Sequence, residues 1–230
     1  MKPLVVASNL YNEIDQMEEW FDFVKKIADG GILIVDTGST DGTIEYCRKQ
    51  GAVVIIDDII KREGYGPARN HLRQKSKEFF PNAHWMIYLD ADERIDPSDF
   101  HTLRFLKDYL IDEYDVIAFP RIDWLDKERT GMAKDWHTQP DWQARMTRLN
   151  SPIEYYRKLH EAIRGYSKIY LDLNNPKINH FHRSTDKKKR DSIGKLCAYL
   201  HEKDKEYGKT VPEHPKEAKY RELLRKEGLD

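Results

Sequence analysis

The sequence predicts an α/β protein with a mostly parallel sheet flanked by helices. Three observations carry this. Short apolar runs alternate with amphipathic segments. The runs are rich in Val, Ile and Leu without polar alternation, as strands buried on both faces require. Two of them, 31–36 and 84–90, stop at an aspartate, Asp36 and Asp90. Ligands of open α/β sheets gather beyond the carboxyl ends of the strands, so two acid-ended strands point to one shared site.

Taken in order, strands are expected over 3–9, 31–36, 52–56 and 84–90, and helices over about 14–29, 41–50, 67–80 and 97–110. Residues 115–123 and 142–149 read as two further strands. Between them, 124–141 has little periodicity and holds Trp124, Trp136, His137 and Pro140, which suits a loop over the site. Trp136 is expected to meet an acceptor there, and Trp142 to pack in the core. A charged helix follows over 185–207, with Ile193, Leu196, Cys197 and Leu200 as its apolar stripe, and a second helix over 215–226. No repeat or linker interrupts the chain. The expected division is a catalytic domain over 1–183 and a helical extension over 184–230 packed on it.

Composition narrows the class. The chain has 230 residues, 34% of them charged, and a mean hydropathy of -0.80. No apolar stretch approaches the roughly 20 residues of a membrane span. The first residues flow directly into a strand, unlike a signal peptide. Cys47 and Cys197 are isolated, which disfavours a zinc knuckle or a disulfide framework and makes a reducing cytoplasm the expected location, with peripheral membrane association left open. A net charge of -1 disfavours nonspecific nucleic-acid binding.

The run His84-Trp-Met-Ile-Tyr-Leu-Asp-Ala-Asp-Glu93 ends in three carboxylates, Asp90, Asp92 and Glu93. Clustered at a strand end, they suit a hard divalent cation carrying phosphate oxygens. The turn Asp36-Thr-Gly-Ser-Thr-Asp-Gly-Thr43 places Asp36 where it can accept from a nucleobase N–H or a ribose hydroxyl. Gly38 and Gly42 permit a sharp turn, and Asp41, Ser39 and Thr40 are cap candidates for the helix after it.

These segments, with Val5-Val-Ala-Ser-Asn-Leu-Tyr-Asn-Glu13 and Gly66-Pro-Ala-Arg-Asn70, resemble glycosyltransferase family 2. Lys158-Leu-His-Glu-Ala-Ile163 and Ile178-Asn-His-Phe-His-Arg-Ser184 resemble a branch related to lipooligosaccharide β-glucosyltransferases. The resemblance covers most of the chain and is weakest over 94–140 and past about 208. It implies a GT-A fold and inverting transfer of a sugar, hexosyl or pentosyl, from a nucleotide-sugar such as a UDP-sugar to a hydroxyl, with Mn²⁺ or Mg²⁺ at the diphosphate.

It also implies roles. Asn12 and Glu13 belong to the donor site. Asp92 is the first metal ligand, with Asp90 meeting the ribose or the metal through water. His180 matches a late histidine that completes the metal shell, and His182 competes with it because strand alternation would put both on one face. Arg69 is expected to fork onto donor phosphate or uracil, with Arg183 as a second basic contact. Glu161 is the expected catalytic base, with His160 orienting it or touching the phosphates, and Asp141 is the alternative base. The acceptor is open among saccharide, lipid-linked sugar, protein side chain and modified nucleobase. Of the competing classes, a nucleotidyltransferase needs a Gly-rich basic loop near the start, and Ser8-Asn-Leu-Tyr-Asn12 is none. A non-catalytic nucleotide-sugar binder has no use for Asp36, Arg69, Asp90, Asp92, Glu161 and His180 together.

Overall fold

In chain order the elements are β1 (Leu4–Leu10), α1 (Ile14–Ile27), β2 (Gly31–Asp36), α2 (Thr43–Lys49), β3 (Val53–Ile56), α3 (Ile59–Glu63), α4 (Tyr65–Phe79), β4 (Trp85–Tyr88), β5 (Glu93–Ile95), α5 (Phe100–Tyr109), β6 (Val116–Trp124), β7 (Asp141–Arg148), β8 (Glu154–Tyr156), β9 (Ala162–Arg164), β10 (Ile169–Tyr170), β11 (Ile178–Phe181) and α6 (Lys187–Thr210). This computed structural model describes residues 1–132, 141–181 and 187–210, with α6 side chains given for 191–200, 203 and 204. The helix expected over 215–226, together with Trp136, His137, Pro140, His182 and Arg183, lies outside the described residues.

The main sheet runs β3-β2-β1-β4-β7-β6-β11-β5, with β10 added beside β6. Its first four strands are parallel, and β7 enters antiparallel to both β4 and β6. The sheet is therefore mixed and mostly parallel, as a GT-A fold requires. Alternation along β1 explains why its apolar run is continuous. Leu4 and Val6 join one buried cluster with Trp20, Phe21 and Val24 of α1, while Val5 and Ala7 join another with Ala68 and Leu72 of α4. Both faces of the strand are covered, so Leu4–Ala7 is apolar throughout and even Ser8 is fully buried.

The short elements α3, β5, β8, β9 and β10 were not expected. Tyr155 and Ile163 pair within an antiparallel β8–β9 hairpin that stands off the main sheet. β11 runs parallel to β6 and antiparallel to β5, which places His180 beside Glu93 and Asp123 in register. Trp142 is half-buried on β7 rather than in the core.

Candidate functional site

The β1–α1 and β2–α2 turns lock together beyond the strand ends. Asn12 accepts from Thr40 N–H at 2.8 Å, and Ser39 Oγ accepts from Asn12 N–H at 2.7 Å. Thr43 Oγ1 accepts from Glu13 N–H at 2.9 Å. Asn12 itself takes a left-handed backbone (φ 53°), which asparagine tolerates best among residues with a side chain this size. Asp41 accepts from the N–H and hydroxyl of Thr43, though the N-cap residue is Gly42 (φ 98°). Asp36 is fully buried and takes N–H bonds from Gly38 (2.9 Å) and Ser39 (2.7 Å) and the Ser39 hydroxyl (2.7 Å). Its oxygens thus hold the turn.

Beside these turns opens a cleft of about 390 Å³. Its wall includes Glu13, Thr37, Lys61, Asp90, Asp92 and His180, and α6 closes one side with Ser192, Ile193 and Leu196. The acid-ended strand is fixed from below, because Trp20 Nε1 donates to the Asp90 carbonyl at 3.1 Å. Asp92, a third exposed at its side chain, lies 3.3 Å from His180 Nε2. The other ring nitrogen, Nδ1, meets Asp123 at 2.5 Å. Burial works against a charge on His180, but the hydrogen bonds to Asp123 and Asp92 outweigh it and raise its pKa to about 10. A cation at Nε2 must displace that proton. Asp92 and His180 form a two-donor edge. Among the described residues no group of three or more His, Cys, Asp or Glu is arranged to hold a metal. Such an edge fits Mg²⁺ or Mn²⁺, which keep water and substrate phosphate oxygens in their remaining positions.

Asp90 is occupied differently. It accepts from the Tyr88 hydroxyl and from Arg145 Nη2 at 3.1 Å. Burial alone would raise its pKa, but Arg145 and Arg69 outweigh this and hold the carboxyl below the usual range. Arg145 also binds the fully buried Glu93 at 2.5 Å, while its Nε and Nη1 are buried without hydrogen-bond partners. Arg69, 8% exposed, stacks 3.8 Å over the Tyr88 ring and is ion-paired with Glu161. Arg69 therefore sits behind the cleft wall, held between Tyr88 and Glu161.

Glu161 comes from the loop between β8 and β9, with no helix starting there, and through Arg69 it sits behind Tyr88 rather than among the residues lining the cleft. The rest of the Gly66–Asn70 motif serves the same docking. Gly66 packs against Arg157, where an added Cβ would lie 2.4 Å from a carbonyl oxygen, and Asn70 makes two 2.7 Å bonds to the Tyr155 backbone. His160 is exposed, has φ 50°, and is not among the residues lining the cleft. Asp141 opens β7 and pairs with Arg121 at 2.7 Å, also away from the cleft lining.

Sequence reasoning missed Tyr88, Asp123, Arg145 and Lys61. Tyr88 and Asp123 stand within or at the end of apolar runs, where period alone marks them as core. Arg145 had one signal: a cluster of three carboxylates at a buried strand end requires a cation. Nothing local says which arginine supplies it.

Comparison with known proteins now bears on the site. The model of glycosyl transferase family 2 matches residues 9–207. No curated protein matches the chain significantly. Among solved structures, it is similar to glucosyl-3-phosphoglycerate synthase from Mycobacterium tuberculosis with Mn²⁺, UDP and glucosyl-3-phosphoglycerate, at 17% identity and a TM-score of 0.42, over 52% of this chain and 44% of that one. The same synthase with Mg²⁺ and UDP gives 17% and 0.41, over 52% and 44%. With Mn²⁺, UDP-glucose and phosphoglyceric acid it gives 17% and 0.40, over 54% and 44%. The chain thus spans less than half the length of these structures, and likeness this slight says nothing of substrate.

Proposed function

The chain belongs to glycosyltransferase family 2, and from that premise we propose an inverting, metal-dependent transfer of a sugar from a UDP-sugar to a hydroxyl acceptor. The observation that carries this reading is the approach of Asp92 and His180 to 3.3 Å on the wall of one cleft, although they lie far apart in the sequence. Asp92 and His180 would hold Mn²⁺ or Mg²⁺, and the cation, when bound, neutralises charge on the departing diphosphate. Asp123 fixes the His180 ring through Nδ1, so that Nε2 faces Asp92. Asp90, already engaged by Tyr88 and Arg145, serves the ribose edge rather than the metal directly. Asp36, Asn12 and Glu13 shape the nucleoside end. Lys61 lines the same cleft and offers a cation to phosphate.

Glu161 is the base in this reading. It takes the proton from the acceptor hydroxyl while that oxygen attacks the anomeric carbon from the face opposite the departing diphosphate. Arg69, pinned against Tyr88, sets the position of the carboxylate. The lipooligosaccharide-like branch and the identity of the sugar belong to the proposal as well, resting on Lys158–Ile163 and Ile178–Ser184. So does the division into a catalytic domain over 1–183 and a helical extension over 184–230 packed on it, which places α6 against the cleft.

Calorimetry with UDP tests the metal edge. Wild type should bind more tightly with Mn²⁺ than without, and Asp92→Asn should lose most of that gain. Equal affinity of the two proteins for UDP in Mn²⁺ would remove Asp92 from the metal shell.

A further inference from the structure

The loop that carries Glu161 is unusual in its backbone. Arg157 (φ 71°) and His160 (φ 50°) both adopt left-handed conformations that residues with side chains rarely take. Such conformations persist where the surroundings over-determine them. One support is the start of α4: Tyr65 N–H donates to the Lys158 carbonyl at 2.8 Å and Gly66 N–H to the Arg157 carbonyl at 3.1 Å. Gly64 makes the approach possible, since an added Cβ would lie 2.7 Å from Lys158 Cα. The opposite support comes from α6. Asp204, 7% exposed, accepts the Lys158 N–H at 2.7 Å through one carboxylate oxygen and Arg157 Nε at 3.1 Å through the other. Leu200, buried in the same apolar cluster against which Leu159 and Leu196 pack, anchors that turn of the helix.

We propose that Asp204 is a positioning residue for transfer: through the Lys158 peptide it holds the 157–161 loop in the conformation that presents Glu161. The Arg157–Lys158 peptide is gripped from both sides, by Gly66 N–H at the Arg157 carbonyl and by Asp204 at the Lys158 N–H. Removing the carboxylate frees one side of a loop whose own backbone preference lies elsewhere. Asp204 touches no reacting group, so its effect reaches the chemistry only through the placement of Glu161. The inference rests on the reading of Glu161 as base. The Arg157 side chain is about half exposed, so its ion pair is the lesser part, and the bond to the backbone N–H is the greater.

The test compares full-length wild type, Asp204→Ala, Asp204→Asn and Glu161→Gln. Hydrolysis is followed in Mn²⁺ with whichever UDP-, GDP- or CMP-sugar wild type cleaves fastest, and hydrogen exchange is followed across 155–163. Asp204→Ala should speed exchange at the Lys158 amide at least tenfold. It should lower kcat by about tenfold, because a small misplacement of a reacting group is costly, with donor KM within about twofold. Asp204→Asn keeps an acceptor for the Lys158 N–H and should recover most of both losses, and it also serves if the alanine variant does not fold. Unchanged exchange in Asp204→Ala overturns the proposal. So does faster exchange with native kcat while Glu161→Gln is impaired. A fully active Glu161→Gln sinks the base reading and the catalytic half of this proposal, and exchange then still decides whether Asp204 holds the loop.

Discussion

Two regions around the cleft hold their carboxylates by different means. In the β2–α2 turn, Asp36 is satisfied by three donors from Gly38 and Ser39, two and three residues along the chain. Across the sheet, Asp90 and Glu93 depend on Arg145 of β7, and His180 depends on Asp123 of β6. Glu161 likewise depends on Arg69 of α4. The first arrangement is a local turn, whereas the second is a set of charges neutralised across elements that meet only in the folded sheet. A change on the first side should therefore stay near the turn. On the second side it should spread to the fold or to the rate.

The sharpest break of this comparison lies at the base. Glu161→Gln should bind the donor normally and transfer about 10²–10⁴-fold more slowly. Asp141→Asn should cost little in rate, since with Glu161 as base its carboxylate serves the ion pair with Arg121. Steady-state kinetics on both variants decide between them, and the reverse pattern would make Asp141 the base. Next in size is Arg145→Met, which removes the 2.5 Å partner of the fully buried Glu93 and leaves it Arg121 at 3.9 Å. Breaking a buried pair on one side costs about 3–5 kcal/mol, and denaturant unfolding should show that loss. A stability unchanged within about 1 kcal/mol would mean that Glu93 is accommodated without Arg145. The smallest effect belongs to Asp36→Ala. It orphans three donors in one turn and should cost about 1–3 kcal/mol, while UDP affinity measured without metal also falls. An unfolding cost as large as that of Arg145→Met would erase the distinction drawn between the two regions.

Legibility followed the same division. The strand ending at Asp36 and the one that stops at Tyr88, two residues before Asp90, were readable because apolar runs buried on both faces leave a mark that no tertiary knowledge is needed to see. The Gly66–Asn70 motif was readable as a motif, but its work was not: Asn70 binds the Tyr155 backbone and Arg69 holds Glu161, both far along the chain. Arg69 was expected to fork onto the donor, and the partners it has in the fold, Tyr88 and Glu161, could not be read from its motif. His160 carried an expectation from its neighbour in sequence, yet the left-handed turn that seats Glu161 leaves His160 exposed. The β8–β9 hairpin was missed because three-residue strands are too short for a period to register.

By itself, then, the sequence determined the α/β class, the order of the first strands and helices, and which strand ends carry acid, since each is written in the spacing of adjacent residues. Only the tertiary structure decided which groups surround each acid. Asp92 and Asp90 both line the cleft, Asp92 beside His180 and Asp90 held by Tyr88 and Arg145, whereas Glu93 is fully buried against Arg145 and Asp36 is hydrogen-bonded within its own turn. The physical reason is that a carboxylate's availability depends on the donors and cations around it. When these come from strands paired in register rather than from nearby residues, no local pattern records them.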